Sequence, residues 1–474
     1  TDSLELKSVL FYYTGDGFFD FDGSWADAQT LRLTPEYGWD LPDTVYPRNA
    51  IIRAFVGNKH GGWIPRILWR HRRGELLLGA EVRLHRSEHW GKVRYAELLP
   101  TNFDPEYKIY SYEGVRDIFS LFARERYELT PQLALTAEAQ LVHHSYRIRR
   151  ERAGNRWTYY LTTRGDTVWG SGTLFDVRYT FFNPRLGLLW RPTPAQEFFA
   201  LVAYTSREPR MRNLYAAEDS YFGAVPLFAS DTLGGVRRYD FSRPLVKPER
   251  LLDIELGLRW STERFRLSAG AFWMEFFDEL VKSGRVDIFG APIDGNAPRT
   301  RHIGLELEGS AVLLRNPAFG ELSLGASATL SRNRIVEYTY YTERDSFSLA
   351  GNPVAGFPEV LASGIVRYRF GDAQVQLLLR HVGRFYSDNF GTKLAEYAQR
   401  DPKIADYRDN VVDPYTVVDV DARWAISGVL GLQRLVLRLQ VHNLFNVLYA
   451  AGAEGRHFFP GAERYIFLGA DFEL

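Results

Sequence analysis

Hydrophobic and polar positions alternate with a period of two along most of the chain. Ile466, Leu468, Ala470, Phe472 and Leu474 share one face, and Tyr465, Phe467, Gly469, Asp471 and Glu473 share the other. Ile254, Leu256, Leu258 and Trp260 oppose Asp253, Glu255, Gly257 and Arg259 in the same way. Leu322, Leu324, Ala326, Ala328 and Leu330 alternate with Ser323, Gly325, Ser327, Thr329 and Ser331. Val418, Val420, Ala422 and Trp424 alternate with Asp419, Asp421 and Arg423. The stretches 76–85, 133–141, 303–311, 373–380 and 435–442 repeat the pattern. This is the period of a strand with unlike faces, and no segment sustains a helical period. An all-β protein is predicted.

The connections alternate between short and long. Short Pro/Gly or charged turns are expected at Arg72–Glu75, Thr130–Gln132, Pro192–Gln196, Ser261–Glu263, Asn316–Gly320, Gly371–Asp372 and Ser427–Leu432. Between them lie long polar-aromatic stretches at 86–111, 147–173, 207–248, 283–298, 336–356, 387–413 and 450–462. A soluble β-sandwich shares the alternation but has no reason to put every second connection on a long-loop side. A transmembrane antiparallel β-barrel does, with short periplasmic turns and long extracellular loops. The expected strands, often about 12–16 residues, exceed the usual 5–6 of a soluble sheet. Trp63, Trp69, Trp190, Trp260, Trp273, Tyr368 and Tyr449 fall near strand ends, as an interfacial aromatic girdle requires. About 17 strands are expected, with residues 16–47 ambiguous. Complete single-chain bacterial barrels have an even number, so further N-terminal strands are expected outside this sequence.

Composition narrows the partners. The 474 residues carry 58 Lys+Arg and 58 Asp+Glu, and a neutral chain lacks the basic excess of a general nucleic-acid binder. There is no Cys, which excludes disulfides, thiolate metal sites and a Cys nucleophile. No run approaches the ~18 apolar residues of a transmembrane helix, which leaves a barrel open because its strands average out. Only 8 of the 58 basic residues are Lys, leaving 50 Arg. Forked guanidinium–carboxylate bonds suit polar ladders inside a barrel, although a G+C-rich genome or a warm habitat gives the same bias. The chain opens at Thr1 without signal-peptide features and enters an alternating segment directly, so an internal portion of a longer chain is expected.

Several segments together resemble the barrel of TonB-dependent outer-membrane receptors. Val441-His442-Asn443-Leu444-Phe445-Asn446 with Tyr449, then Pro460-Gly461-Ala462-Glu463-Arg464 and a terminal strand, is similar to the family's penultimate-strand motif. Ser206-Arg207-Glu208-Pro209 with Asn213-Leu214-Tyr215, followed by Val246-Lys247-Pro248-Glu249 and Asp253-Ile254-Glu255-Leu256-Gly257, resembles its mid-barrel signature. Arg301-His302-Ile303-Gly304-Leu305-Glu306 and Gly356-Phe357-Pro358 also fall in family-like positions. The resemblance covers nearly all of residues 1–474 and implies the C-terminal portion of a 22-stranded barrel in a Gram-negative-type outer membrane. It also implies lipid and lipopolysaccharide neighbours, a small-molecule or metal-chelate ligand and energy from the TonB complex. The family's plug domain and TonB box are not found in the sequence.

No nucleophile elbow, phosphate-cradling loop, metalloprotease helix or dinucleotide fingerprint occurs, so neither an enzyme nor a cofactor is expected. His85 and His89 have a spacing that chelates metal on a helix, but here it falls in a strand end or loop. His143 and His144 are expected on opposite faces of a strand. Asp406, Asp409 and Asp413 could hold a hard cation, without the Gly and Glu of an EF-hand loop. No metal site is assigned. The expected ligand surface is the long-loop side, through Arg207, Arg210, Arg212, Tyr215, Tyr221, Arg237, Arg238, Tyr340, Tyr341, Arg384 and Tyr386. Aromatics with Arg dominate binding hot spots and suit planar or anionic chelates. The family resemblance, and not these residues, implies a ferric siderophore first, with cobalamin, haem or another chelate behind it. A passive porin-like channel and a structural or adhesion barrel, with or without a partner lipoprotein, are the rivals.

Overall fold

Alternating residues become hydrogen-bonded strands because a bilayer leaves no water for unpaired backbone groups. The computed structural model describes residues 3–215, 226–286, 292–342, 344–429 and 431–473. Among these, hydrogen bonds assemble an antiparallel sheet of 17 strands. Sixteen are long, and the other is the two-residue Arg156–Trp157. No helix of the described residues is long and apolar enough to cross a membrane. The chain divides into two compact units.

The first unit comprises Thr1–Arg126, Ala137–Pro184 and Ser206–Pro248. Its strands are β1 (Ser3–Asp22), β2 (Ile51–His71), β3 (Gly74–Tyr95), β4 (Tyr110–Thr130), β5 (Leu133–Ala153) and most of β6 (Thr173–Thr193). In the β1–β2 register Leu4 meets Trp69, Leu6 meets Ile67 and Leu10 meets Trp63, all exposed on one apolar face. On the other face Phe11 meets Gly62, Tyr13 meets His60 and Gly15 meets Asn58. A separate core buries Leu31, Leu33, Ile52, Ile109, Ile148, Leu214, Tyr215 and Phe228, drawing on strand ends and on the connections 23–50 and 208–248.

The second unit comprises Tyr127–Thr136, Arg185–Thr205 and Glu249–Leu474. It holds β7 (Gln196–Arg207), β8 (Glu249–Ser261), β9 (Phe265–Val286), β10 (Pro292–Asn316), β11 (Gly320–Glu337) and β12 (Val360–Phe370). It continues through β13 (Ala373–Val382), β14 (Tyr415–Val429), β15 (Leu432–His442) and β16 (Tyr465–Glu473). One apolar row runs Leu256–Ala271–Leu305–Leu330 across β8 to β11. The opposite face carries the expected polar ladders. Glu197 takes Arg191 and Arg259, both at 2.7 Å, and Asp419 takes Arg380 at 2.9 Å. Gln440 donates to Asp421 at 2.9 Å. Above the strands, Ile335, Phe347, Leu349, Phe390 and Tyr397 form a core between the connections 338–359 and 383–414, the latter carrying the helix α1 (Leu394–Arg400).

Two expectations need correction. The stretch 283–298 is not a long loop: β9 and β10 stay paired up to Val286 and Pro292. Strands are also longer than expected, reaching 22 residues in β3 and 25 in β10. Beyond the bilayer both faces meet water, so alternation fades while the hydrogen-bond ladder continues. Tyr449 is half-buried and packs at a tilt against Tyr415, ring centroids 4.4 Å apart. Trp63, Trp69, Trp190, Trp260, Trp273 and Tyr368 do stand outward, each at least a third exposed.

Candidate ligand-binding site

Within the first unit, the polar faces of β2, β3, β4 and β5 and the segment Arg207–Arg212 enclose a cavity of about 660 Å³. His60 and His85 are direct cross-strand partners on β2 and β3, and their Nδ1 atoms lie 3.3 Å apart. Phe11 and Tyr13 stack near-parallel on the His60 ring at 5.5 and 5.0 Å, fixing its plane. Two positions further along the same face of β3, Ser87 is bonded to His89 Nε2 at 2.9 Å. The His89 ring lies 4.7 Å from Tyr112 in a parallel stack. Arg116 and Tyr146 complete the wall, with the guanidinium 5.1 Å over the phenol ring.

The roof is held by local chain chemistry. Pro209 ends β7, and a 3-10 turn at Met211–Asn213 follows. Buried Asn213 accepts the Arg210 N–H at 3.1 Å through its side chain. Leu214 and Tyr215 then plunge into the core, so Arg207, Arg210 and Arg212 remain along the cavity. The Tyr215 hydroxyl donates to buried Glu151, which also accepts from Thr158 at 2.5 Å and Tyr160 at 3.2 Å. Complete burial, with the Glu151 carboxylate adjacent, pushes the Tyr215 phenol well above its ordinary pKa, so it stays a neutral donor.

Two carboxylates temper the positive lining. Glu208 pairs with Arg116, accepts the Tyr146 hydroxyl at 3.1 Å and sits 3.4 Å from His144 Nδ1. Glu81 pairs with Arg83. The cavity therefore offers guanidinium and phenol donors together with imidazole nitrogens.

Of the expected ligand residues, Arg207, Arg210 and Arg212 line this cavity, whereas Tyr215 anchors the roof from within the core. Tyr221 lies outside the described residues. Arg238 forms a fork with Asp231 at 2.8 and 2.7 Å within its own hairpin, and Arg237 donates to Ser230 at 3.1 Å. In the second unit Tyr340 packs edge-on against Phe390 at 5.4 Å, and Tyr341 is 76% exposed. Arg384 is exposed and Tyr386 is half-buried on a two-residue strand facing Val411.

The other sequence candidates resolve into structural roles. His143 bonds Thr180 at 2.9 Å, and His144 turns to the other face. Asp406 pairs with Arg456 at 2.5 Å and Asp409 caps Val411 at 3.0 Å, so the expected aspartates do not converge. The central carboxylate of that loop is Asp388, which accepts from Asn410 and Tyr407, both at 2.8 Å, and from the Phe390 N–H at 2.8 Å. Burial nonetheless holds its pKa above the usual carboxylate range. Sequence reading missed His60, Tyr112, Arg116 and Tyr146. Their alternation with apolar neighbours gives their face, but only the strand register brings them together.

Residues 2–444 match the family described as TonB dependent receptor-like, beta-barrel. The chain belongs to that family. TonB-dependent receptors are outer-membrane proteins, and this chain carries sequence of their barrel. The copper transporter OprC superposes with a TM-score of 0.67 at 14% identity, covering 99% of this chain and 63% of that one. The siderophore receptor PiuA from Acinetobacter baumannii gives 0.62 at 12% identity, over 99% and 62%. The ferric citrate transporter FecA gives 0.60 at 15%, over 89% and 55%. The chain thus spans about 55–63% of the length of these solved structures. No curated protein matches.

Several family-like motif residues of this receptor barrel hold its turns and strand contacts. Asn443 adopts φ 50° and donates to the Val447 and Ala462 carbonyls at 2.9 and 3.0 Å. Its side-chain oxygen accepts the Val447 N–H at 2.8 Å. Glu249, after Lys247-Pro248, accepts the Leu280 N–H at 2.9 Å. Gly304 lies beneath the Phe272 ring, where a Cβ would stand 2.6 Å from the ring edge.

Proposed function

We propose that this barrel belongs to a receptor that binds a scarce extracellular solute and imports it with TonB-coupled energy. A metal chelate is the ligand class, with a ferric siderophore as its leading member. The observation that carries the reading is the cavity that Arg207, Arg210 and Arg212 line beside Tyr112 and Tyr146. Guanidinium forks and phenol rings at the mouth of a barrel recognise flat, anionic chelates by charge-assisted hydrogen bonds and stacking. Membership of the family supports energy coupling and a small-molecule ligand. The TonB partner, a plug and the lipopolysaccharide contact are part of the same proposal. The rival readings, a passive channel or an adhesion barrel, share the fold but not the coupling.

The test uses the full-length receptor in its own outer membrane. Uptake of radiolabelled ferric chelates should stop when the inner-membrane proton gradient is collapsed, while ligand binding at the cell surface persists. The double variant Arg210→Ala/Arg212→Ala should lower surface binding by about tenfold or more, the scale of one lost charge-assisted contact. Uptake indifferent to the gradient, together with large steady conductance in planar bilayers, would leave the passive channel in its place.

A further inference from the structure

The His60–His85 pair joins β2 to β3 through its side chains in the wall of the cavity. Two imidazoles directly opposite on adjacent strands are costly neighbours when protonated, and neither is needed to close the hydrogen-bond ladder. Their Nδ1 atoms stand 3.3 Å apart. At that distance one imidazole N–H can donate to the other ring's nitrogen, a bond slightly longer than the roughly 2.7–3.2 Å usual for N–H···O. Two nitrogen ligands on a tetrahedral ion, each at about 2.0–2.1 Å, are separated by about 3.3–3.4 Å. The pair thus has the spacing of two ligands with the ion left out.

The surroundings fit a metal. Phe11 and Tyr13 hold the His60 ring in plane by stacking, so little rotamer freedom is lost on binding. The nearby guanidiniums of Arg83 and Arg116 are matched by Glu81 and Glu208, which limits their repulsion of a cation. His89 sits four residues along the strand from His85, about 13 Å in an extended chain, and turns to Ser87. The pair therefore supplies two ligands and leaves the remaining positions to water or to donors carried by the cargo, an open site.

We propose that His60 and His85 bind a first-row divalent metal ion of the imidazole-preferring class, Cu²⁺ or Zn²⁺, through their Nδ1 atoms on the polar face of the barrel. Binding needs one imidazole to move its proton from Nδ1 to Nε2, with no net proton release above the imidazole range. The 3.3 Å spacing fits tetrahedral Zn²⁺ as it stands, whereas tetragonal Cu²⁺, intrinsically the tighter binder of nitrogen, draws the two atoms in to about 2.8 Å, and Mg²⁺ and Ca²⁺ do not bind. This deepens the uptake reading by naming a class of cargo or a transit point for it. The site itself does not depend on energy coupling.

The test titrates the metal-free, full-length receptor in detergent with CuCl₂ and ZnSO₄ by calorimetry. One ion per chain should bind, and His60→Gln or His85→Gln should each weaken binding at least about tenfold. His381→Gln, bonded to Thr416 in the second unit, should leave it unchanged. If either variant fails to fold, electron paramagnetic resonance of the wild-type Cu²⁺ complex decides, with two coordinated nitrogens expected. Binding unaffected by both substitutions, or an oxygen-only signal, would overturn the site. Gradient-independent uptake would sink the receptor reading while leaving this measurement standing.

Discussion

A charge placed on the apolar face should be costly in proportion to its depth, and Leu256 is the position to test. Leu256 is 57% exposed among the protein atoms and lies in the row with Ala271, Leu305 and Leu330. It sits about five residues from Ser261, the end of β8 at a short turn, or roughly 17 Å along the strand at ~3.4 Å per residue. With strands tilted about 45°, that is about 12 Å of height, half of the ~25 Å apolar band. Trp260, one residue from the turn, marks the interface. Leu256→Arg should therefore destabilise the barrel by about 2–4 kcal/mol, and Trp260→Arg by about 0–1 kcal/mol beyond its lost packing. Ser327→Arg, on the opposite face beside Ser363 at 2.8 Å, loses one exposed hydrogen bond and should cost about 1 kcal/mol or less. Denaturant titration of the protein folded into phospholipid vesicles, followed by tryptophan fluorescence, reads all three. Equal cost at Leu256 and Ser327 would remove the assignment of faces, and no difference between Leu256 and Trp260 would remove the assignment of depth.

Asn443→Ala loses three side-chain hydrogen bonds and forces Ala into the left-handed φ of 50°, so a loss of about 2–4 kcal/mol is expected. Asn443→Gly should recover only the backbone part of it, and a thermal melt showing Gly equal to wild type would refute the staple. In the long connections, Asp345 is held below its ordinary pKa by the Ser346 N–H and by Arg400 at 2.7 Å, and Asp401 by Thr342 and the Lys403 N–H. A depressed folded pKa contributes stability above the unfolded value that is lost as pH falls through the folded one. Amide protection factors in 344–348 and 394–404, with the intrinsic pH dependence of exchange divided out, should thus fall below about pH 4, and protection factors unchanged from pH 6 to 3 would count against these contacts.

The sequence alone determined that the chain is built of strands with two unlike faces, because a bilayer imposes a strict period of two. Leu256, Leu324, Val420 and Leu437 could be placed on the lipid face from spacing alone. It also marked Arg207, Arg210 and Arg212, since a run of Arg after a strand end is visible without a fold. Alternation could not show where strands end above the membrane, since both faces are wet there, and so β3 and β10 run past their expected limits. Nor could it separate an aromatic that meets ligand from one that anchors a loop. Tyr215 reads like its neighbours in sequence, yet burial against Glu151 makes it a post under the roof. Most of all, register is a tertiary fact. His60 and His85 are 25 residues apart in sequence, and only the hydrogen-bond ladder between β2 and β3 sets them face to face.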